Sequence, residues 1–162
     1  MAKFSKIIRK NNENLLISKF IELFKSILNK KIKSSKRLSF VLTGGESPIN
    51  LYKKLNKTKK IQWKYVDFFI GDERYVNNNS KNSNIKMCKK HLLNNKKISK
   101  KQIFDITTNQ KSITKDVKLY EDKIKKYFNY KRIQFDVILL GIGNDGHIAS
   151  LFKNNIKIKN QH

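Results

Sequence analysis

The chain has 162 residues, a formal net charge of +25 at pH 7, 38% hydrophobic residues and one cysteine. That length suits a single domain with a real core, no apolar run approaches the eighteen or more residues of a membrane span, and one thiol excludes an internal disulfide. The 37 basic residues are 33 Lys and 4 Arg, dispersed with Asn and Ile through the whole chain. Dispersal of this kind points to an A/T-biased coding sequence rather than to a face built for nucleic acid, whose readers lean on arginine. Weak polyanion binding still follows from the charge. No uninterrupted apolar core follows Met1–Lys6, so a secretory signal is not expected and a cytoplasmic protein is.

Leu15, Leu16, Lys19, Phe20, Leu23, Phe24, Ile27 and Leu28 form a stripe at helical spacing, which predicts a core-packing helix over 14–28. A lysine-rich connector leads to Leu38–Leu42, a short buried strand. It runs into Thr43-Gly44-Gly45-Glu46-Ser47-Pro48, where Ser47 is expected to cap, and Pro48 to open, a helix continued by Ile49, Leu51, Tyr52 and Leu55. Strand, glycine loop and helix start together suit an anion, which makes Gly44, Gly45 and Ser47 candidate phosphate ligands. P-loop spacing is absent.

Val66–Ile70 predicts a second buried strand, ending in Gly71-Asp72-Glu73-Arg74-Tyr75-Val76. Arg74 stands where the composition favours lysine, which suggests a bidentate contact to phosphate or carboxylate; a surface ion pair with Asp72 or Glu73 is the plainer reading. A polar loop then leads through Ser83 and Asn84 into a helix over 85–93, with His91 on a solvated face. Ile103–Ile106 reads as a short strand, and Val117, Tyr120, Ile124, Tyr127 and Phe128 as a further helical stripe. Strands alternating with helices predict an α/β fold: a parallel-sheet, Rossmann-like three-layer domain with helices on both faces. Residues 1–152 are expected to form one such domain and 153–162 a polar, Lys/Asn-rich tail.

The most informative stretch is 135–152. Phe135–Leu140 is an apolar run with one charge, expected as a strand buried on both faces. Gly141, Gly143 and Gly146 follow, then His147. Asp145 is expected to cap the next helix, with His147 in its first turn, kept neutral there and able to act as a general base facing a pocket. The glycines also spell G-x-G-x-x-G, but the dinucleotide fingerprint needs an acidic residue about twenty positions on, and none follows Asp145.

Leu42–Pro48 with Leu51-Tyr52, Gly71–Val76 with Ser83-Asn84 and Met87, and Leu140–Phe152 together resemble the 6-phosphogluconolactonase family, within the glucosamine/galactosamine-6-phosphate isomerase superfamily. Order and spacing match across essentially the whole chain. The resemblance implies a carboxylic ester hydrolase that converts 6-phospho-D-glucono-1,5-lactone to 6-phosphogluconate in the oxidative pentose phosphate pathway, with no metal or organic cofactor. By the same resemblance His147, Asp72 and Arg74 are catalytic: His147 activates water, Asp72 orients His147 or relays its proton, and Arg74 holds the phosphorylated substrate. Gly44, Gly45, Ser47, Arg74, Gly143 and Asn144 would bind substrate or phosphate. The implied partner is a small sugar-phosphate lactone, with no specific nucleic acid and no membrane, and a monomer is favoured.

The Asp-Gly-His core is shared with glucosamine-6-phosphate deaminases, whose version continues with Phe, Asn and Glu where this chain has Ala149-Ser150-Leu151-Phe152. A deaminase- or isomerase-like enzyme is therefore the alternative, and a non-catalytic remnant with weak polyanion binding is another. Asn77 and Lys153 stand where the family usually has proline. Members of the family also continue through a further segment with a basic phosphate ligand, so the C-terminal part of the fold is expected to be missing here.

Overall fold

Two five-residue runs of mostly large apolar side chains form the central strands, β1 (Leu38–Leu42) and β2 (Val66–Ile70), in the computed structural model, which describes residues 7–108, 112–143, 145–149 and 151. Every residue of both strands is buried, and they pair in parallel from Leu38↔Val66 to Leu42↔Ile70. Successive side chains on a strand point to opposite faces. Leu38, Phe40, Leu42, Val66, Phe68 and Ile70 share the main core with α1 (Glu13–Lys33), α2 (Ile49–Lys57) and α3 (Asn84–Cys88, continued by a π-helical turn, Lys89–Leu93). On the other face Phe69 stacks on Phe104 at 4.5 Å and meets Tyr127 edge-on at 4.9 Å, which brings in α4 (Ile113–Tyr127). The expected three layers are present.

Two short outer strands, β3 (Ile103–Phe104) and β4 (Val137–Ile138), complete a parallel sheet of order β3-β2-β1-β4. The chain builds outward from β1 through β2 to β3, then returns to lay β4 on the opposite side of β1. Strand order therefore reverses between β1 and β4, and open α/β sheets form ligand crevices at the carboxyl ends of such a pair.

Three expectations need correction. The first helix runs longer than 14–28, from an Asn12 cap whose side chain accepts from the Leu15 N–H at 3.0 Å. Its buried line is Ile17, Ile21, Phe24 and Leu28, while Leu15, Leu16, Leu23 and Ile27 are exposed. The helix is apolar over more than one face, so spacing alone offers two stripes. Contact of Phe24 with Phe40 and Trp63 decides between them. Secondly, Ser47 makes no capping bond: Pro48 is the N-cap, and a backbone turn from Ile49 N–H to the Glu46 carbonyl (3.1 Å) leads into α2.

Thirdly, Phe135–Leu140 is not a strand buried on both faces. Its ladder to β1 reaches only from Asp136 to Leu139, and Ile138 and Leu140 are 53% and 58% exposed. Among the described residues β4 lies at the edge of the sheet, with β1 as its one strand neighbour. An apolar run reads the same at an edge as in the centre.

Tyrosine hydroxyls finish the carboxyl ends of the central strands. The Tyr52 hydroxyl, on α2, donates to the Thr43 carbonyl (2.8 Å) and accepts from the Thr43 N–H (3.0 Å). The β2–β3 ladder stops at Phe69, and one residue on the Tyr120 hydroxyl, from α4, donates to the Ile70 carbonyl (2.7 Å) and accepts from its N–H (3.1 Å). At the opposite edge Asp67 is buried but paired, receiving two bonds of 2.6 Å from the Arg37 guanidinium and one of 3.0 Å from the Tyr127 hydroxyl. Asp136 binds the N–H and hydroxyl of Ser39 and the Lys31 ammonium, tying β4 to β1 and α1.

Tyr52→Phe leaves both polar groups of Thr43 without this partner and should cost about 1–3 kcal/mol in urea unfolding. An unchanged unfolding midpoint would remove the hydroxyl from the account of the strand end. Cys88 is fully buried, and burial, with the nearby Glu73 charge adding, pushes its thiol up to about 12. Its folded pKa is thus raised above the unfolded value of about 8.5, so the stability it contributes is full below that value and is lost as pH rises through the folded one. At pH 8 the native protein should react with a disulfide reagent about a hundredfold more slowly than the denatured chain; equal rates would contradict the burial.

Candidate active site

Three loops leave the carboxyl ends of β1, β2 and β4, and they meet. Thr43, Gly44, Gly45, Glu46 and Ser47 follow β1; Asp72 and Arg74 follow β2; Gly141, Ile142, Gly143, His147 and Ala149 follow β4. With Asn84 they line one cavity of about 310 Å³. A methyl group built on Gly141 would lie 3.4 Å from Ser47 Oγ, so the first and third loops touch across the switch point. The sequence candidates Asp72, Arg74, His147, Gly44, Gly45, Ser47 and Gly143 therefore share one site. Asn144 lies outside the described residues, as do Ser150 and residues 152–162, including the expected tail.

The β4 loop is a tight backbone construction. The Gly143 N–H donates to the His147 carbonyl at 2.8 Å, the Gly146 N–H donates to the Gly143 carbonyl at 2.9 Å, and Ile142 and Ile148 form an antiparallel bridge. Gly146 (φ 83°) takes a left-handed conformation that glycine adopts without steric cost, and Ala149 (φ 52°) takes one that a Cβ disfavours. Asp145 is consequently not a helix cap, and His147 does not sit in a first helical turn. The N–H of His147 points back to Asp145 Oδ1 (3.3 Å), and the imidazole Nδ1 meets the same oxygen. Asp145 thus brings a carboxylate to the imidazole, a contact the sequence reading missed by treating Asp145 as a cap. Its carboxyl is held below the ordinary range by that side-chain contact, aided by the backbone bond.

The β2 loop is ordered by Glu73. Its carboxylate accepts from the N–H groups of Arg74 (2.8 Å), Asn84 (2.6 Å) and Ile85 (2.8 Å) and from Ser83 Oγ (3.3 Å). Glu73 therefore caps α3, and among the described residues Arg74 forms no ion pair with Asp72 or Glu73. The plainer reading of Arg74 is not what forms; its side chain is exposed and lines the cavity. Tyr75 anchors the next residue of the loop, donating to the buried Asp116 of α4 at 2.9 Å. His91 lies away from the cavity, half-buried, its carbonyl accepting from Asn56 at 3.1 Å. Among the described residues no group of three or more His, Cys, Asp or Glu is arranged to hold a metal ion, and no helix is long and apolar enough to cross a membrane.

A Cβ on Gly143 would lie 2.2 Å from His147 Cε1, 2.3 Å from Nδ1 and 2.7 Å from Asp145 Oδ1, so glycine is what lets the ring lie over the turn. Gly143→Ala should displace the imidazole and break its contact with Asp145 while the domain stays folded. The folded Asp145 pKa is depressed, so the contact is present above the ordinary value of about 3.9 and lost as pH falls through the folded one. In the variant the carboxyl carbon of Asp145 should titrate at higher pH by NMR than in the unaltered chain; an unshifted titration would mean the ring has not moved.

The family model described as glucosamine-6-phosphate isomerases/6-phosphogluconolactonase matches residues 11–162. A 6-phosphogluconolactonase of Nostoc sp. is 32% identical over 144 residues, which is 87% of this chain and 60% of that protein. The crystal structure of 6-phosphogluconolactonase from Thermotoga maritima superposes with a TM-score of 0.75 at 32% identity, over 84% of this chain and 60% of that one. The 6-phosphogluconolactonase from Trypanosoma cruzi gives 0.81 at 26% identity, over 95% and 64%. A monomeric glucosamine-6-phosphate deaminase at 18% identity and a TM-score of 0.75 shares the fold. The chain spans about three fifths of the length of such relatives. With its three strand-end loops converging as described and the match running from residue 11 onward, this chain belongs to the glucosamine-6-phosphate isomerase/6-phosphogluconolactonase family.

Proposed function

We propose that this chain hydrolyses 6-phospho-D-glucono-1,5-lactone to 6-phosphogluconate, a step of the oxidative pentose phosphate pathway, in the cytoplasm. The observation that carries the reading is the meeting of Asp72, Arg74 and His147 with the Gly44–Gly45 loop in one cavity at the switch point. Those groups suit an ester that carries a phosphate: a water activator, a charge stabiliser and an anion anchor.

In this reading Asp145 holds Nδ1 of His147, which makes Nε2 the nitrogen that takes a proton from water. The water oxygen attacks the lactone carbonyl carbon. As the tetrahedral adduct collapses, the bond to the ring oxygen breaks and the imidazolium returns its proton to that oxygen. Asp72 supplies a negative charge that favours the imidazolium, the part left to it once Asp145 does the orienting. Arg74 grips the phosphate by its guanidinium, and backbone N–H groups of the Gly44–Gly45 loop receive phosphate or the developing oxyanion. Ser47 offers its hydroxyl at the same mouth.

Turnover of freshly prepared lactone by the purified chain should exceed that of His147→Ala by about 10²- to 10⁴-fold, the variant serving as the baseline for spontaneous hydrolysis. Arg74→Lys should raise KM about tenfold and change kcat little, since an ammonium cannot make the bidentate contact. Equal rates for the chain and His147→Ala, both folded, would sink the lactonase reading, and turnover of glucosamine 6-phosphate instead would replace it with deamination.

A further inference from the structure

Glycine is usually kept where φ is positive, and in the first loop that accounts for Gly45 (φ 80°) but not for Gly44, which is outside the left-handed region. What Gly44 lacks room for is a side chain. An ideal Cβ there would lie 2.0, 2.1 and 2.3 Å from Cγ, Oδ1 and Nδ2 of Asn84. Asn84 is 6% exposed, and its amide is committed on another side, Nδ2 donating to the Asp72 carbonyl at 3.0 Å. Its backbone N–H donates to Glu73 Oε1 at 2.6 Å.

We infer that Asn84 is a positioning residue: it locks the Asp72–Arg74 loop against the Gly44 loop and so sets where Asp72 stands in the cavity. The β2 loop lies beyond the end of its strand, so its placement rests on such bonds. Glu73 fixes the loop to the start of α3 through three donors, Ser83 Oγ and the N–H groups of Asn84 and Ile85, and these bonds join the β2 loop to the helix rather than to the first loop. The Asn84 amide meets both loops, Gly44 on one side and the Asp72 carbonyl on the other. Its amide cannot turn away from an added Cβ at position 44 without giving up the Asp72 carbonyl. Gly44 is thereby assigned a role apart from binding an anion: it leaves the space that the amide occupies.

The kinetic part of this inference rests on the lactonase reading, and the test separates the two. Asn84→Asp keeps the shape and the fit against Gly44 but replaces the donor to Asp72 with an oxygen. It should lower kcat about 10- to 100-fold with KM changed less than about threefold, because displacement of a catalytic group by an ångström acts on the chemical step. Gly44→Ala should lower Tm by about 5 °C, whereas in an Asn84→Ala background the same change should leave Tm unchanged. Unchanged kcat in Asn84→Asp, a loss that merely tracks the folded fraction, or additive effects of the Gly44 and Asn84 changes would each overturn the inference. Should the unaltered chain be no faster than His147→Ala, the lactonase reading falls, and the Tm cycle alone then decides: recovery in the double variant upholds the interlock and additivity removes it.

Discussion

The cavity depends on how the carboxyl ends of two parallel strands are completed. A ladder stops where a strand stops, and backbone N–H and C=O groups left inside the protein without partners are costly. Tyr52 meets both groups of Thr43, and Tyr120 both groups of Ile70, each with one hydroxyl. A tyrosine brings that hydroxyl on a rigid ring from a helix already packed on the sheet, so the strand end is located relative to the helix. Tyr52 belongs to the helix layer on one face and Tyr120 to the layer on the other. The glycine loop and the Asp72 loop therefore depart from points held by opposite layers.

Charge is divided between the two edges of the sheet. At the amino edge Asp67 and Asp136 are pinned by Arg37, Lys31, Ser39 and Tyr127, and they serve the fold. Glu73 is pinned in the same way at the carboxyl edge, where it caps α3. Asp72, Arg74 and the Asp145–His147 pair remain at the cavity. Two of the four arginines divide likewise. Arg37 spends its guanidinium on a buried carboxylate, a geometry lysine cannot reproduce, and Arg74 keeps its own toward the cavity. Both are rare arginines in a lysine-rich chain, and only contact geometry tells the one paired inside the fold from the one that lines the cavity.

Much of this protein is legible in local pattern. Leu38–Leu42 and Val66–Ile70 declare buried strands because five-residue apolar runs between polar loops have few other uses, and their alternation with helical stripes predicts the parallel sheet. That Gly44, Gly45, Ser47, Asp72, Arg74, Gly143 and His147 would meet at one cavity was likewise legible, because they follow recognisable strands and strand ends converge in this class of fold. What the sequence could not decide is anything set by a neighbour distant along the chain. It could not tell an edge strand from a central one at Phe135–Leu140, since exposure depends on which strands lie alongside. It could not choose the Ile17–Ile21–Phe24–Leu28 face of α1 over its apolar rival, since that choice is made by Phe40 and Trp63. Asp145 read as a cap until the turn closed it onto His147, and Asn84 read as a helix start until the fold pressed its amide between Gly44 and Asp72. Local spacing determines which elements form and where their ends fall; only the folded chain, by closing turns and bringing residues distant in sequence into contact, determines what each end is used for.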